Sequence, residues 1–316
     1  MSRITYIKSL IYDLLPGFVR NRIRVYSDNK KIKHWQECFK VKVDKEQVDA
    51  LFREMAIDSD VMIHSSLPEI GNVRLRDVMD DLKEYVTDKG NTILCPALPV
   101  KGSSLDYLKS IDSFDVRSAP NAMGSISSHY GKKTDAVRSL SPTHSVVALG
   151  PQASYYTEEH HLDETPFTER SPYYKLMLRD GKILMFGASL KHLTFCHVLE
   201  DIIGEEDFPV KVYDQRRFSL KLVDKSGGVT HGTFRAHSRN RSRLSDPGEL
   251  IEAIRQLPST KVFHLGCGEV VLIDARDVMI CMLKSLKCGV TTLGKRKVSQ
   301  DCKRKADEWI AYIRQL

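Results

Sequence analysis

The chain has 316 residues, of which 41% are hydrophobic and 28% charged, and its formal net charge at pH 7 is +7. This length can bury a sizeable core in one large domain or in two ordinary ones. No apolar run approaches the roughly 20 residues that cross a bilayer, so the sequence predicts no transmembrane helix.

The cysteines and the first residues bear on the compartment. Seven cysteines lie between Cys38 and Cys302 without a C-x-x-C pair, which is typical of reduced thiols. The first 20 residues lack the apolar core and small-residue cleavage site of a signal peptide. We therefore expect a cytoplasmic protein. His264 and Cys267 have the spacing of metal ligands, but no second pair is near, so we expect no metal site.

Positive charge is concentrated in three segments. Lys and Arg outnumber acids nine to three in residues 1–40, nine to two in residues 211–243 and eight to one in residues 284–305. A basic surface indicates an anionic partner, such as the phosphates of a small molecule, a nucleic acid or a membrane surface. Neither a zinc-finger spacing nor an aromatic–basic RNA-binding pattern accompanies it, so we expect no nucleic-acid partner. A solvated surface is the plainer alternative.

Residues 1–45 predict an N-terminal helical extension. Residues 4–18 place apolar side chains on one stripe of a helix that Pro16 ends or kinks. We favour packing of this helix on the body of the protein or on a second subunit, as in a homodimer. The alternative is weak contact of the helix with an anionic membrane surface.

Strand and helix patterns alternate from residue 40 onward, where Asp44 is a natural N-cap for a helix that reaches residue 55. Apolar and alternating runs predict strands at 61–63, 92–95, 146–149, 183–186, 210–213, 218–223, 229–234, 262–265 and 270–273. Amphipathic stretches predict helices at 76–87, 122–130, 155–161, 173–178, 247–256, 274–286 and 300–315. Residues 100–118 are polar and predict an irregular loop on the substrate side.

These elements predict an α/β fold. The strand–helix–strand unit over 61–95 indicates a parallel pair of strands, within a central parallel or mixed sheet flanked by helices. Ser226-Gly227-Gly228 predicts the turn of a hairpin, in a basic antiparallel insert at about 208–245. We predict one domain over 46–316, which includes this insert.

The stretch 181–200 carries a candidate acid/base pair. An apolar strand ends at Gly187, and the following helix places His197 and Glu200 three residues apart on one face. An imidazole beside a carboxylate at the end of a sheet is a common acid/base arrangement. A buried histidine paired for structural reasons is the alternative.

Four motifs together resemble the aminoglycoside 3-N-acetyltransferase family. They are IHSSLPEIG at 63–71, KGNTILCP at 89–96, the run 114–151 with its Pro-Thr-His-Ser signature, and the block 171–200 that ends in His-x-x-Glu. The resemblance covers about residues 46–290 and leaves 1–45 and 211–243 unaccounted for. It implies an α/β sheet enclosed by helices, and an acyltransferase domain that moves an acyl group from a coenzyme A thioester to an amine of a sugar.

This chemistry gives roles to the residues of the motifs. An amino-sugar nitrogen must lose a proton, and His197 is suited to accept it while Glu200 orients the imidazole, although the reverse assignment stays open. A Cys–His dyad with Cys196 as nucleophile is not the favoured interpretation, because adjacent helical residues point about 100° apart. The candidate contacts to the acetyl-coenzyme A thioester or its pantetheine arm are His64, Ser65, Ser66, Leu67, Thr143, His144 and Ser145, with neighbouring backbone N–H groups.

Several alternatives stay open at this point. His144 could contact the acceptor instead, hydroxyl residues at strand ends commonly cap turns, and Asp115 and Arg117 are the candidate acceptor contacts. The acyl group could be larger than acetyl. Because the chain is basic, we expect a nucleotide-linked amino sugar used in cell-surface polysaccharide synthesis as acceptor. The alternatives are an aminoglycoside, which would confer antibiotic resistance, and a non-catalytic binding protein on the same fold.

Overall fold

The computed structural model describes residues 17–100 and 102–316. The strands of these residues are β1 Lys42–Val43, β2 Val61–Ser65, β3 Asn72–Val73, β4 Ile93–Pro96, β5 Ser113–Asp115, β6 Val137–Arg138, β7 Val146–Leu149, β8 Lys182–Phe186, β9 Phe218–Val223, β10 Val229–Phe234, β11 Lys261–Leu265, β12 Gly268–Asp274, β13 Val290–Thr291 and β14 Gly294–Lys295.

Helices surround these strands. They are α1 Gly17–Phe39, α2 Lys45–Met55, α3 Leu67–Ile70, α4 Leu75–Leu82, α5 Ser104–Lys109, α6 Ser125–Tyr130, α7 Ala153–Thr157, α8 Pro172–Leu178, α9 Val198–Ile203, α10 Arg239–Arg243, α11 Gly248–Arg255, α12 Ala275–Lys287 and α13 Gln300–Ile313. A π-helical turn, Lys83–Thr87, extends α4, and short 3-10 turns occupy Leu190–His192 and Thr194–His197. Among the described residues, no helix has the length and apolar character needed to cross a bilayer.

The central sheet has seven strands in the order β11-β12-β8-β2-β4-β7-β6. Strands β8, β2 and β4 are parallel, and the outer pairings are antiparallel. The apolar run of β2 is continuous because both of its faces are covered: Met62 lies in one core, and Val61 and Ile63 lie in the other. This mixed sheet between helical layers confirms the predicted fold class and the parallel unit over 61–95.

Several predicted elements match the structure closely. Strand β7 and the hairpin β9–β10 have the predicted bounds. Helix α2 begins after Asp44, whose carboxylate accepts a hydrogen bond from the Gln47 N–H while the Gln47 side chain caps Asp44 in return.

Two predictions were wrong. Residues 210–213 form no strand, and only an isolated bridge joins Tyr213 to His237. The segment 100–118 is not an irregular loop, since it contains α5 and β5. Strand β5 pairs in parallel with β9, so the insert forms a three-stranded sheet of order β10-β9-β5 and not a hairpin alone.

The insert is fastened to the rest of the chain at both ends of its hairpin. At the tip, Lys225 Nζ donates to the carbonyl oxygens of residues 133, 134 and 136 at 2.6–2.8 Å. At the other end and beyond, arginines pair with acids of remote segments: Arg217 with Glu164, Arg235 with Glu205, Arg239 with Asp106 and Arg241 with Glu200. Much of the positive charge of the insert is therefore compensated.

The described residues include only part of the predicted N-terminal extension, residues 1–45. The helix predicted at 4–18 lies almost wholly outside the described residues. The last turns of α1 contact α3, where Trp35 Nε1 and His34 Nε2 each lie 2.8 Å from a carboxylate oxygen of Glu69, and Cys38 is buried. The domain boundary at residue 45 stays a prediction.

Candidate active site

The candidate residues converge because of the direction of the strands. The parallel strands β2, β4 and β8 end at the same edge of the sheet, where Ser65 pairs with Phe186. Strand β7 runs antiparallel to β4 and begins at this edge, since Val146 pairs with Pro96. The segments 64–67, 143–145 and 187–200 therefore emerge together, as is usual for sites on α/β sheets.

Glu200 is the centre of the site, and its side chain is fully buried. Its Oε1 accepts hydrogen bonds from Arg241 Nη2 at 2.6 Å and Thr292 Oγ1 at 2.9 Å. Its Oε2 accepts from Arg241 Nε at 3.4 Å and lies 3.3 Å from His197 Nδ1. Burial opposes ionisation, but the positive Arg241 and the contact with His197 hold the pKa of Glu200 well below its usual range. Glu200 is thus an ionised carboxylate surrounded by groups of the protein itself.

His197 ends the 3-10 turn and occupies the N-cap position of α9, so the predicted spacing does bring it against Glu200. Its side chain keeps about 20% of its surface exposed, while Glu200 has none. Arg241 Nη2 lies 2.8 Å from His197 Nδ1. Burial lowers the pKa of His197, Arg241 lowers it further, and Glu200 partly offsets both.

Two more imidazoles complete a cluster of aromatic rings. The ring centre of His237 lies 4.8 Å from that of His197, and the ring centre of His144 lies 6.4 Å from it. Phe167 lies 4.8–5.8 Å from all three rings, and Tyr213 stacks on His237 at 5.1 Å. Burial lowers the pKa values of His144 and His237, so both are neutral. Nε2 of His237 is buried without a hydrogen-bond partner among the described residues and lies 3.6 Å from Glu200.

Asp201 supports this cluster from behind. Its carboxylate accepts hydrogen bonds from the Tyr213 hydroxyl and from the Phe167 N–H, the latter at 3.0 Å. Burial raises the pKa of Asp201 to about 7 in spite of these donors. Asp201 therefore fixes the two aromatic side chains that hold His237 in place.

The segment 64–67 lies at the same sheet edge. His64 is buried on β2 with Nε2 unpartnered among the described residues, and burial lowers the pKa of His64 to about 4. Ser66 precedes α3 without a side-chain cap hydrogen bond, and Leu67 begins the helix. The N–H of Ser66 already donates to the Phe186 carbonyl at 2.9 Å, so this backbone group is not free for a thioester. The ligand contacts of His64, Ser65, Ser66 and Leu67 stay predictions.

The segment 143–145 divides into two parts. Thr143 and His144 face the site, with Thr143 Oγ1 lying 3.0 Å from His144 Nδ1. Ser145 is buried, donates to the Ala97 carbonyl and accepts from Arg138 Nε. Arg138 also donates to carbonyl oxygens of residues 97, 119 and 120. Ser145 and Arg138 thus hold the segments around the site together, and this gives Ser145 a structural role.

Asp115 and Arg117 are not brought to this site. They form a salt bridge with each other, and Asp115 pairs with Val223 near the hairpin tip. Phe234, which leads to His237, lies at the opposite end of the hairpin beside Phe218. The five-residue offset corresponds to about 17 Å along the strand. The acceptor contacts of Asp115 and Arg117 stay a prediction.

A cavity of about 100 Å³ opens beside the imidazole cluster. Its walls are the strand-end residues Thr143 and His144, the insert residue His237, and Leu98, Val100, Gly102, Ser103 and Ser104 of the segment after β4. The first part of the predicted substrate-side segment therefore does reach the site. The cavity is smaller than the roughly 300–1,000 Å³ of a typical ligand pocket.

The cluster also has a metal-like donor set, since ligand atoms of His197, Glu200 and His237 lie within 4.8 Å of one another. The Arg241 guanidinium, however, contacts His197 Nδ1 and both oxygens of Glu200. A cation of the protein thus already occupies these ligand atoms, which disfavours a metal ion there.

Sequence reasoning missed Arg241, His237, Thr292 and Asp201. Arg241 and Glu200 are separated by 41 residues, and Thr292 and Glu200 by 92 residues, so no local spacing connects them. The basic segment 211–243 is the signal in the sequence that could have pointed to Arg241 and His237. Its charge predicts a surface for an anionic ligand, whereas in the structure it supplies Arg241 and His237 to the site.

The mixed sheet and the His–carboxylate pair at its edge define a protein of the antibiotic N-acetyltransferase fold. A family profile described as aminoglycoside 3-N-acetyltransferase matches residues 62–287. The chain belongs to this family, as the four motifs predicted.

Relatives and solved structures agree with this assignment. The chain is similar to aminoglycoside N(3)-acetyltransferase III of Serratia marcescens, with 41% identity over 68 residues, which is 22% of this chain and 25% of the relative. It is similar to the prophage-derived aminoglycoside N(3')-acetyltransferase-like protein YokD of Bacillus subtilis, with 29% identity over 158 residues, 44% of this chain and 57% of the relative. The alignments thus span about a quarter to just over half of these two relatives.

The fold is similar to that of an acetyltransferase described as AAC-IIIb in a binary complex with CoASH. The TM-score is 0.61 at 20% identity, and the match covers 77% of this chain and 96% of that chain. The AAC(3)-Xa structure gives a TM-score of 0.59 at 18% identity, over 78% and 94% of the two chains. These identities support the fold alone.

Proposed function

We propose that this chain is a coenzyme A-dependent N-acetyltransferase that acts on an amine of an aminoglycoside-type amino sugar. The observation that carries the proposal is the partly exposed imidazole of His197, held by the fully buried, ionised Glu200 at the carboxyl edge of the sheet. Family membership supplies the reaction class. The structure described as AAC-IIIb holds coenzyme A on a similar fold, which supports an acyl-coenzyme A donor.

The reaction needs one base and no covalent enzyme intermediate. The amine lone pair attacks the thioester carbonyl carbon, the C–N bond forms, and the C–S bond breaks as coenzyme A thiolate leaves. The proton released by the amine passes to His197 Nε2 and then to the thiolate. A positioned base of this kind typically contributes about 10²–10⁴-fold in rate.

The structure favours His197 over Glu200 as the base. Glu200 has no exposed surface, and its two oxygens contact Arg241, Thr292 and His197. A substrate amine therefore cannot reach it without removing these groups. Glu200 then orients His197 and stabilises the imidazolium, as carboxylates do in acyl-transfer triads.

The acceptor follows from the family and from the charges of the insert. The expectation of a nucleotide-linked amino sugar rests on positive charge in 211–243, but four arginines of the insert pair with acids of remote segments. This weakens the argument for an anionic acceptor. The net charge of +7 keeps nucleotide-linked amino sugars as a second candidate. Homodimer formation, membrane contact and a cytoplasmic location stay predictions.

The test is thiol release from acetyl-coenzyme A with aminoglycosides and, separately, with nucleotide-linked amino sugars. We expect turnover with the aminoglycosides, and loss of at least about 10²-fold in kcat for His197→Ala with coenzyme A affinity near wild type. His264→Ala, an exposed histidine of β11, is the matched control and should retain activity. Turnover with nucleotide-linked amino sugars alone would mean that these sugars, and not aminoglycosides, are the acceptors. Ligand binding without turnover would favour the non-catalytic alternative.

A further inference from the structure

Arg241 places a chemical constraint on His197. A guanidinium group carries only hydrogen-bond donors. Because Arg241 Nη2 lies 2.8 Å from His197 Nδ1, this nitrogen must present its lone pair. Glu200 Oε2, the alternative partner, is further away at 3.3 Å and is an acceptor. A neutral His197 in this arrangement therefore carries its proton on Nε2.

This tautomer is the wrong one for a base at Nε2. Proton acceptance there requires a proton on Nδ1, which would then donate to Glu200. In the described arrangement Nε2–H is a donor, so His197 cannot take a proton from an amine until the imidazole proton changes nitrogen. The described contact therefore belongs to one state of the Arg241–His197 pair, and the proposed reaction requires a second state of the same pair.

We propose that Arg241 is a positioning residue that holds His197 in the neutral Nε2–H form at rest. In the reactive state, Arg241 withdraws from His197 Nδ1 and keeps its hydrogen bonds to Glu200. Nε2 then releases its proton to solvent and Nδ1 takes one up from solvent, so that Nδ1–H donates to Glu200 and Nε2 is free to act as base. The tautomer assignment stands on the contacts of the free protein, and only its kinetic consequence rests on the proposed function.

The contact belongs to a built site and not to a loose surface side chain. The Arg241 side chain keeps only about 8% of its surface exposed, and the backbone N–H of Arg241 donates to Ser238 Oγ, just before α10. The neighbouring Arg239 ties the same helix to Asp106. Helix α10 also follows the cavity-lining residue His237 in the chain.

The groups that face the His197 ring must be considered together. Glu200 lies on the same helix, Arg241 and His237 come from the insert, and His144 comes from the start of β7. His237 and His144 are buried and neutral. Glu200 and Arg241 are then the charges that decide the protonation of His197.

The first experiment observes the tautomer directly. In the full chain with ¹⁵N-labelled histidine and without substrates, two-bond ¹H–¹⁵N correlations show which ring nitrogen of each histidine is protonated, and His197→Gln identifies the His197 signals. We expect Nδ1 to be unprotonated in the wild type and protonated in Arg241→Met. Arg239→Ala, next to it on α10, is the control and should match the wild type. Protonated Nδ1 in the wild type would overturn the proposal, as would no change in Arg241→Met.

The second experiment measures the pH dependence of kcat/KM with acetyl-coenzyme A and the acceptor. Without Arg241, the acid limb of the profile should move to higher pH by about one unit, because a positive neighbour of His197 is lost. An unmoved acid limb would overturn the kinetic consequence. Arg241→Gln, which keeps a polar group in the buried site, replaces Arg241→Met if the latter does not fold. If the tautomer change is observed but no acceptor is acetylated, the proposed function fails while the tautomer assignment stands.

Discussion

The buried ion pair of Glu200 and Arg241 makes a quantitative prediction for stability. Glu200→Gln removes the negative charge while it keeps the shape of the side chain and the hydrogen bond that Thr292 donates at 2.9 Å. The guanidinium of Arg241, at 2.6 Å from Oε1 and almost wholly buried, would then lack a counter-charge. Leaving one partner of a buried pair uncompensated typically costs about 3–5 kcal/mol in the free energy of unfolding.

A double-mutant cycle separates this cost from the loss of packing. In Glu200→Gln/Arg241→Met the unpaired charge is removed, so we expect it to be more stable than Glu200→Gln by about 1–3 kcal/mol. Glu308→Gln breaks the exposed pair with Arg304 on α13, and as a control it should change stability by less than about 0.5 kcal/mol.

Urea-induced unfolding at pH 7, followed by circular dichroism and tryptophan fluorescence, gives these free energies if the slopes with denaturant agree. A cost below about 1 kcal/mol for Glu200→Gln would refute the reasoning, because a buried guanidinium cannot lose its carboxylate so cheaply unless the site is hydrated. Additive effects in the double variant would refute it as well.

Three further changes test other parts of the structure. Burial raises the pKa of Asp201 to about 7, against about 4 in the unfolded chain, so the contribution of Asp201 to stability should fall by about 2–4 kcal/mol as the pH rises from 4 to 8. It is measured as the pH dependence of the difference between the wild type and Asp201→Asn, because the buried histidines, whose pKa values burial lowers, change stability in the opposite direction below about pH 6.5. Gly187→Ala should cost more than about 2 kcal/mol, because φ is +70° and the new Cβ would lie 2.6 Å from the Ser66 carbonyl oxygen; Gly90→Ala, with φ +85° and open space, should cost only about 1–2 kcal/mol in thermal unfolding. Lys225→Met removes three hydrogen bonds at the hairpin tip and should lower stability by about 1–3 kcal/mol, with faster hydrogen exchange at residues 133–136; unchanged exchange there would contradict this.

Local patterns were enough for much of the fold and for the catalytic pair. The alternation on both sides of Ser226-Gly227-Gly228 predicts the hairpin with its true bounds, and a three-residue spacing brings His197 to Glu200. In both cases the deciding interactions lie within a short stretch of chain, where side-chain period and turn chemistry determine the geometry.

The missed features depend on distant segments. The apolar residues Val212 and Tyr213 suggest a strand at 210–213, but they are buried in the main core with only one bridge to His237. From composition alone, the arginines of the insert count as unpaired positive charge. Arg241 in fact meets Glu200 across 41 residues, and a count of charges carries no information about such partners.

The three-stranded sheet of the insert has a consequence for the exchange of segments between members of this family. Strand β5 comes from residues 113–115 and strands β9 and β10 from residues 218–234, so the sheet is assembled from two separate stretches of chain. If residues 208–245 alone were replaced by those of another family member, β5 would lose its own partner strand β9, and Glu200 would lose Arg241. Chimeras should therefore be designed with residues 100–118 and 208–245 transferred as one unit, and natural recombination that separates the two stretches should be selected against.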